Sequence, residues 1–311
     1  MAKVWVTGDA VVDLIPDGDN TYLKCPGGAP ANVAVGIARL GGNAAFIGRV
    51  GCDPLGKFMK QVLTNEKVDT QSMLLDEKHR TSTVLVDLDD DGERSFTFMV
   101  LPSADQFLEP SDIPSFNRGE WLHVCSIALA NEPSRSTTLN AMKAIKSAGG
   151  YVSFDPNLRD DVWTNRHEMK PVVLDAIALA DVAKFSDDEL FYLTEKSDTE
   201  SAIDWLKHHY TIPLTIITQG KDGAIIISDN TRQWVKGQPL VPIDTTGAGD
   251  AFVGGLLAGL SSTEDWQQWD NLVTIITQAN ACGALATTAK GAMTALPTET
   301  QLHEYLKSPS L

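Results

Sequence analysis

Pro242-Ile-Asp-Thr-Thr-Gly-Ala-Gly-Asp-Ala-Phe-Val-Gly-Gly-Leu-Leu-Ala-Gly-Leu260 opens as a polar turn and closes as an apolar helix of small residues. Gly247, Ala248 and Gly249 carry almost no side chain, so their backbone N–H groups can approach a ligand closely. They stand at the helix start, where unpaired N–H groups and the helix dipole favour an anion. Asp250 adds a carboxylate beside that cradle. A group that binds a transferring phosphoryl, next to one that can take a proton from a hydroxyl, is the minimum apparatus of a kinase. Taken alone, the stretch is explained equally well as an Asp-capped helix with glycines for close packing.

A second Gly-rich stretch, Cys25-Pro-Gly-Gly-Ala-Pro-Ala-Asn-Val-Ala-Val-Gly-Ile-Ala-Arg-Leu-Gly-Gly42, makes a turn at Gly27-Gly28 and starts a helix near Pro30. Asn32 falls in its first turn and can both donate and accept, which suits a neutral polyol. Upstream, Val4–Thr7 reads as a strand, and Asp13 lies within a small apolar hairpin after Gly8-Asp9. Downstream, a strand at Phe46–Val50 and a helix at Pro54–Val68 give a βαβ rhythm and hence a parallel sheet. The rhythm continues with a strand at Trp121–Ile127, a helix at Ser134–Ala148 and a strand at Tyr151–Phe154. That strand delivers Asp155-Pro-Asn-Leu-Arg159 at its carboxyl end, where open parallel sheets bind ligands. Arg159 can bridge substrate and phosphate charge, or pair with Asp160 or Asp161.

A helix over Glu168–Ala180 precedes a strand at Asp181–Phe185. Lys184 there can meet phosphate as a point charge, and Glu189 can reach a metal through water. Capping of the next helix by Ser186, with Glu189 as the capping-box partner, competes with that role. Strands at Leu214–Thr218 and Ala224–Ser228 flank a tight turn, Gln219-Gly-Lys-Asp-Gly223, placed to touch phosphate or ribose. Helices at Asn271–Thr288 and Thr298–Lys307 end the chain.

Ser82–Asp89 and Arg94–Val100 alternate as strands joined by an Asp90-Asp-Gly-Glu93 turn. With the hairpin after Gly8, this antiparallel ribbon predicts a lid over the sheet's ligand edge, formed by about residues 9–25 and 82–100 of a single domain spanning 1–311. Phe98 either packs on the lid or touches the ligand, and Phe107 is a further candidate for selectivity. Exposed ribbon edges invite pairing with a second copy, a homodimer through the lid.

The 311 residues carry a net charge of −16 with 43% hydrophobic residues, and a pI near 4.7. That balance argues against nucleic acid and anionic membrane partners, which reward basic patches. No apolar run approaches the ~20 residues of a membrane span. Four scattered cysteines without CxxC spacing read as reduced thiols, and Met1–Gly8 lacks signal-peptide character. Both point to the cytoplasm.

No Walker sequence is present. The ordered set Pro26-Gly-Gly-Ala-Pro-Ala-Asn32, Asp155-Pro-Asn-Leu-Arg159 and Asp244-Thr-Thr-Gly-Ala-Gly-Asp250 resembles the PfkB (ribokinase-like) carbohydrate kinases over essentially the whole chain. Gly92-Glu-Arg-Ser-Phe-Thr-Phe98, Leu122-His-Val-Cys-Ser126, Asn131-Glu-Pro-Ser-Arg135 and Lys290-Gly-Ala-Met-Thr-Ala-Leu-Pro297 are most like the bacterial fructokinase branch. The resemblance implies a three-layer α/β/α core with a mostly parallel sheet and a small β-sheet lid. It implies ATP-dependent phosphorylation of D-fructose to fructose 6-phosphate. Aminoimidazole riboside, or another nucleoside or ketohexose, is the competing acceptor. A binding regulator without turnover would be expected to lose Asp250 and the Gly-Ala-Gly stretch first, and both are intact.

Carried over residue by residue, the resemblance makes Asp250 the base and Gly247, Ala248 and Gly249 the anion hole. Asp13, Gly27, Gly28 and Asn32 would hold sugar hydroxyls, joined by Phe98, with Arg159 between sugar and phosphate. Asn157, Lys184, Glu189, Thr218, Gly220 and Gly223 would lie along ATP and Mg2+. Asp244, Thr246 and carbonyls around Ala286, Ala289 and Gly291 would form a K+ loop. Ser186 stands where the family often has Asn in its Asn-x-x-Glu motif, which leaves Glu189 as the metal-side residue.

Overall fold

The structure, a computed structural model, describes residues 1–18, 20–88, 94–229, 231–238 and 240–307. In chain order its strands are β1 (Lys3–Thr7), β2 (Val11–Pro16), β3 (Tyr22–Gly27), β4 (Asn43–Gly51), β5 (Met73–Asp76), β6 (Thr83–Leu88), β7 (Arg94–Phe98), β8 (Trp121–Cys125), β9 (Tyr151–Asp155), β10 (Val182–Ser186), β11 (Leu214–Thr218), β12 (Gly223–Ser228) and β13 (Thr231–Lys236). The helices are α1 (Ala29–Arg39), α2 (Pro54–Asn65), α3 (Ser134–Ser147), α4 (Arg166–Ile177), α5 (Asp187–Thr194), α6 (Thr199–His209), α7 (Ala248–Ser262), α8 (Trp269–Ala286) and α9 (Glu299–Lys307).

Alternation along β1 shows why the sheet is buried on both faces. Val4 and Val6 enter a core with α1, α7 and α8, while Trp5 enters a second core with α3, α4 and α6 on the opposite face. The result is the expected α/β/α sandwich. The main sheet runs β13-β12-β11-β10-β9-β8-β1-β4-β5. It is parallel from β5 to β11, and β12 and β13 close one edge antiparallel. Among the described residues no helix is long and apolar enough to cross a membrane.

The smaller sheet runs β3-β2-β6-β7 and contains both the expected antiparallel ribbon and the hairpin after Gly8. Its two antiparallel hairpins join through a parallel β2–β6 seam, Val12 facing Thr83. Val11, Val84 and Val86 form its own small core with Ile15 and Phe98. The turn expected at Asp90–Glu93 lies outside the described residues. Strand β3 runs straight into α1, so the small sheet ends at the Gly27-Gly28 turn.

Two strands were not legible from pattern. β5 has only four residues, and β13 is exposed at five of its six positions, so neither has a period to read. Helix α2 stops at Asn65 rather than Val68. Lys67 turns left-handed at φ 66°, and Val68 N–H bonds back to Leu63 O at 3.0 Å, a helix-ending arrangement.

Candidate active site

Helices α1 and α7 cross where neither has a side chain. A Cβ on Gly254 would sit 3.2 Å from the Gly36 Cα, so the two backbones touch. One turn earlier on each helix stand Asn32 and Asp250, and this crossing brings them together. Asn32 Nδ2 donates to Asp250 Oδ2 at 2.8 Å, across 218 positions of sequence. The other face of α7 packs on α8, where Gly255 meets Cys282 and Gly259 meets Ile275. The glycines that a packing argument alone would explain therefore also place the carboxylate.

Gly247 precedes α7 with φ 78°, and a Cβ there would lie 2.8 Å from the Ala292 Cα. Only glycine makes this left-handed turn without strain. The turn starts α7 at the stretch expected from sequence to cradle an anion; within it Ala248 N–H donates to Thr245 O at 3.2 Å. Asp250 sits in the first helical turn. Burial pushes its carboxyl up to about 6, against the opposing pull of the Asn32 hydrogen bond and the Lys184 and Arg159 charges.

On the acceptor side, the space beside Gly27 is taken by the Asp13 carboxylate, so a Cβ there would collide with Asp13 Oδ2. Gly28, at φ 95°, lets the chain pass within reach of the Asp9 carbonyl, 2.8 Å from where a Cβ would lie. Asn32 is buried, and its Oδ1 has no hydrogen-bond partner. Asp9 and Asp105, which sequence reasoning did not single out, each also hold a buried, unpartnered Oδ1. Phe98 packs into the small-sheet core. Phe107 stacks on His79 at 3.4 Å between centroids and lines a separate hollow with Gln106, Asn131 and Trp163.

Lys184 lies at the carboxyl end of β10, and its Nζ donates to Asp155 Oδ1 and Oδ2 at 3.2 and 3.1 Å. The pair is buried, with side chains 10% and 5% exposed. Burial and the nearby Glu189 and Asp250 push the Asp155 carboxyl up to about 7, although Lys184 opposes this. A Cβ on Gly249 would be 3.8 Å from Lys184 Nζ, so the ammonium faces the cradle. Arg159 is exposed and its charge acts on both Asp250 and Asp9. Asn157 turns left-handed at φ 38°. Glu189 is tied down at both oxygens, accepting from Leu158 N at 3.1 Å and from Ser186 N at 2.9 Å. Ser186 Oγ in turn accepts from Glu189 N. The capping box is therefore real, and it is also what holds Glu189 beside the 155–159 loop.

A cleft of about 280 Å³ opens beyond the cradle, lined by Thr218, Gly220, Gly223, Ala248 and Gly249 among others. Its walls are largely apolar with a few polar groups, as in small-molecule sites. Phe252, Asn280, Gly283 and Ala284 complete it; a lone Asn at a helix position otherwise lined by small residues was the available signal. Asp244 clasps the far side of the cradle, accepting from Thr246 N at 3.0 Å and from Gly291 N at 2.9 Å. Thr287 O accepts from Ile243 N and Asp244 N. These bonds bring the Asp244–Thr246 turn to the chain that follows Ala286, including Ala289 and Gly291. Among the described residues no group of three or more His, Cys, Asp or Glu side chains could hold a metal by itself.

The pfkB family carbohydrate kinase profile matches residues 1–299. The chain is 56% identical over 306 residues to the fructokinase of Vibrio alginolyticus, covering 98% of this chain and 99% of that protein. It is 46% identical over 311 residues to the aminoimidazole riboside kinase of Salmonella typhimurium, covering 100% of this chain and 97% of that one. The crystal structure of fructokinase from Vibrio cholerae O395 with fructose, ADP and calcium ion superposes with a TM-score of 0.95 at 60% identity, covering 99% of each chain.

Proposed function

The chain belongs to the pfkB family of carbohydrate kinases, and we propose that it transfers the γ-phosphoryl group of ATP to D-fructose, giving fructose 6-phosphate and ADP. The observation that carries this reading is the Asp250 carboxylate, half-buried and held by Asn32 in the first turn of α7.

A sugar primary hydroxyl does not ionise alone at neutral pH, and a carboxylate is a weak base for it. Proton transfer to Asp250 is therefore late. The hydroxyl oxygen bonds to the γ-phosphorus, the bond to the β-phosphate oxygen breaks, and the proton passes to Asp250. In-line positioning and the N–H dipoles of the Gly247–Gly249 turn lower most of the barrier. Lys184 and Arg159 add positive charge where the phosphoryl group passes. Asp13, Gly27, Gly28 and Asn32 hold the sugar. Thr218, Gly220 and Gly223 line the nucleotide cleft, with Asn157 at its phosphate end. Glu189 would hold Mg2+ through water, and the ion would supply neutralising charge for the ATP phosphates. K+ is assigned to the Asp244–Thr246 and Ala286–Gly291 loop. The four-stranded sheet serves as a lid that excludes water. Its exposed Tyr22 and Leu23 support a homodimer through that sheet, which sedimentation as a monomer would rule out. Cysteines scattered without CxxC spacing support a cytoplasmic location.

The base must be ionised to act. The Asp250 carboxyl lies at about 6 in the free protein, so kcat/KM for fructose rises with pH up to that value and levels off around neutrality. A profile that stays flat through this range removes Asp250 as the base.

The deciding experiment measures ADP release with Mg-ATP and K+ across fructose, other ketohexoses, ribose, nucleosides and aminoimidazole riboside. Fructose is expected to exceed the others by at least about tenfold in kcat/KM, a discrimination of about 1.4 kcal/mol. Preference for the riboside would overturn the substrate and leave the kinase chemistry.

A further inference from the structure

Asp9 lies two residues beyond β1, at the carboxyl edge of the sheet, and its main-chain carbonyl abuts Gly28. The side chain is buried, and its Oδ1 has no hydrogen-bond partner. The titratable and charged groups facing it come from four elements: Asp105 from the 104–107 turn, Arg159 from the loop after β9, Asp250 from α7 and Cys125 from the end of β8. The one cation among them, Arg159, is the exposed one. A carboxylate at this spot would lose its water and face two other carboxyls, so the surroundings favour the neutral acid. The pocket's other unpartnered oxygens, on Asn32 and Asp105, can only accept from a ligand unless a carboxyl is protonated. A polyol hydroxyl brings lone pairs as well as a proton, and acceptors alone leave those lone pairs unmet.

We propose that Asp9 contacts the acceptor sugar as a neutral acid, its O–H donating to a sugar oxygen, with Asp105 beside it holding the proton in place. This rests on the sugar-kinase reading of the site. The two aspartates then divide the work. Asp250 is ionised and takes the proton of the reacting hydroxyl. Asp9 stays neutral, grips the sugar and adds no second negative charge near the phosphoryl group.

The test compares fructose binding by calorimetry, and kcat against KM, for wild type, Asp9→Asn, Asp9→Ala and Asp105→Asn from about pH 6 to about pH 9. In wild type, fructose affinity holds near neutrality and falls as pH passes about 8, where the Asp9 carboxyl ionises. Asp9→Asn keeps a neutral donor of the same shape; it loses no more than about threefold in affinity and its alkaline fall disappears, whereas Asp9→Ala weakens fructose about 10-fold or more, seen in KM rather than kcat. Asp105→Asn removes a like charge, so its alkaline fall moves to lower pH. Asp9→Asn binding as weakly as Asp9→Ala, or keeping the alkaline fall, overturns the proposal, and so does Asp9→Ala with a normal KM. If Asp9→Ala does not fold, wild type against Asp9→Asn across pH decides by itself. A wild-type protein that turns over another acceptor is put through the same comparison with that acceptor. One that turns over none overturns the sugar-kinase reading and this inference together.

Discussion

Asp250→Asn lowers kcat by about 10²–10⁴ while ATP affinity changes little, as for loss of a general base. The substitution isolates the chemistry because the amide oxygen still accepts from Asn32 Nδ2, the bond that sets the side chain in the native site. Fold and charge cradle stay, and only the capacity to take a proton goes. A stability measurement separates this from mere damage. The folded Asp250 carboxyl lies at about 6, above its ordinary value of 3.8. The unfolded chain therefore releases this proton first as pH rises. The contribution of Asp250 to stability declines between those two values and stays low above them. A neutral amide avoids that decline. The variant's Tm at pH 8 should equal or exceed that of wild type, even as turnover collapses. Near-normal kcat sinks the assignment, and a lower Tm at pH 8 shows that the substitution harmed the fold instead.

Lys184→Met should damage both stability and turnover. Removing one partner of a buried pair leaves the other charge uncompensated, at a cost of about 3–5 kcal/mol. Asp155 limits that cost by keeping a proton. Its carboxyl already lies at about 7 with Lys184 present, and loss of the ammonium raises it further. The unfolded chain ionises Asp155 near its ordinary 3.8, so stability falls with rising pH, and in the variant this fall continues to higher pH. Denaturant midpoints at pH 6 and pH 8 check this: the deficit against wild type should be larger at pH 8. Loss of the charge facing Gly249 should also cost roughly 10²–10³ in kcat, the scale of one removed donor at a developing charge. A variant with wild-type turnover would place Lys184 outside the phosphoryl path and leave it a structural partner of Asp155.

The parts of the site that could be read from sequence are those in which neighbours along the chain make the chemistry. Gly247, Ala248, Gly249 and Asp250 are consecutive, and a helix start presents their N–H groups whatever else surrounds it. Ser186 and Glu189 are three apart, and the capping box follows from that spacing. The 155–159 segment follows a strand, and parallel sheets place such segments at the ligand edge. The resemblance to a known family named most of the remaining residues, but no spacing explained why they should meet.

What escaped the sequence depends on burial and on long-range approach. Asp9 and Asp105 look like ordinary turn aspartates, and only the folded chain shows that each has a buried oxygen with no partner. The stacking of Phe107 on His79 likewise joins two residues that no sequence period relates. The edge strand β13 is mostly exposed, so the hydrophobic effect wrote no alternation into it.

The sequence by itself determined the α/β class and the two glycine-rich helix starts, and it singled out Asp250 as the candidate base, because backbone geometry and helix dipoles act over a few residues. Only the tertiary structure decided which groups share charge. The Gly36–Gly254 contact sets Asn32 on Asp250, and a common low-dielectric edge couples Asp9, Asp155, Lys184 and Asp250. The physical reason is that desolvation and Coulomb forces depend on distance through space and on exclusion of water, and neither is encoded at any one position of the chain.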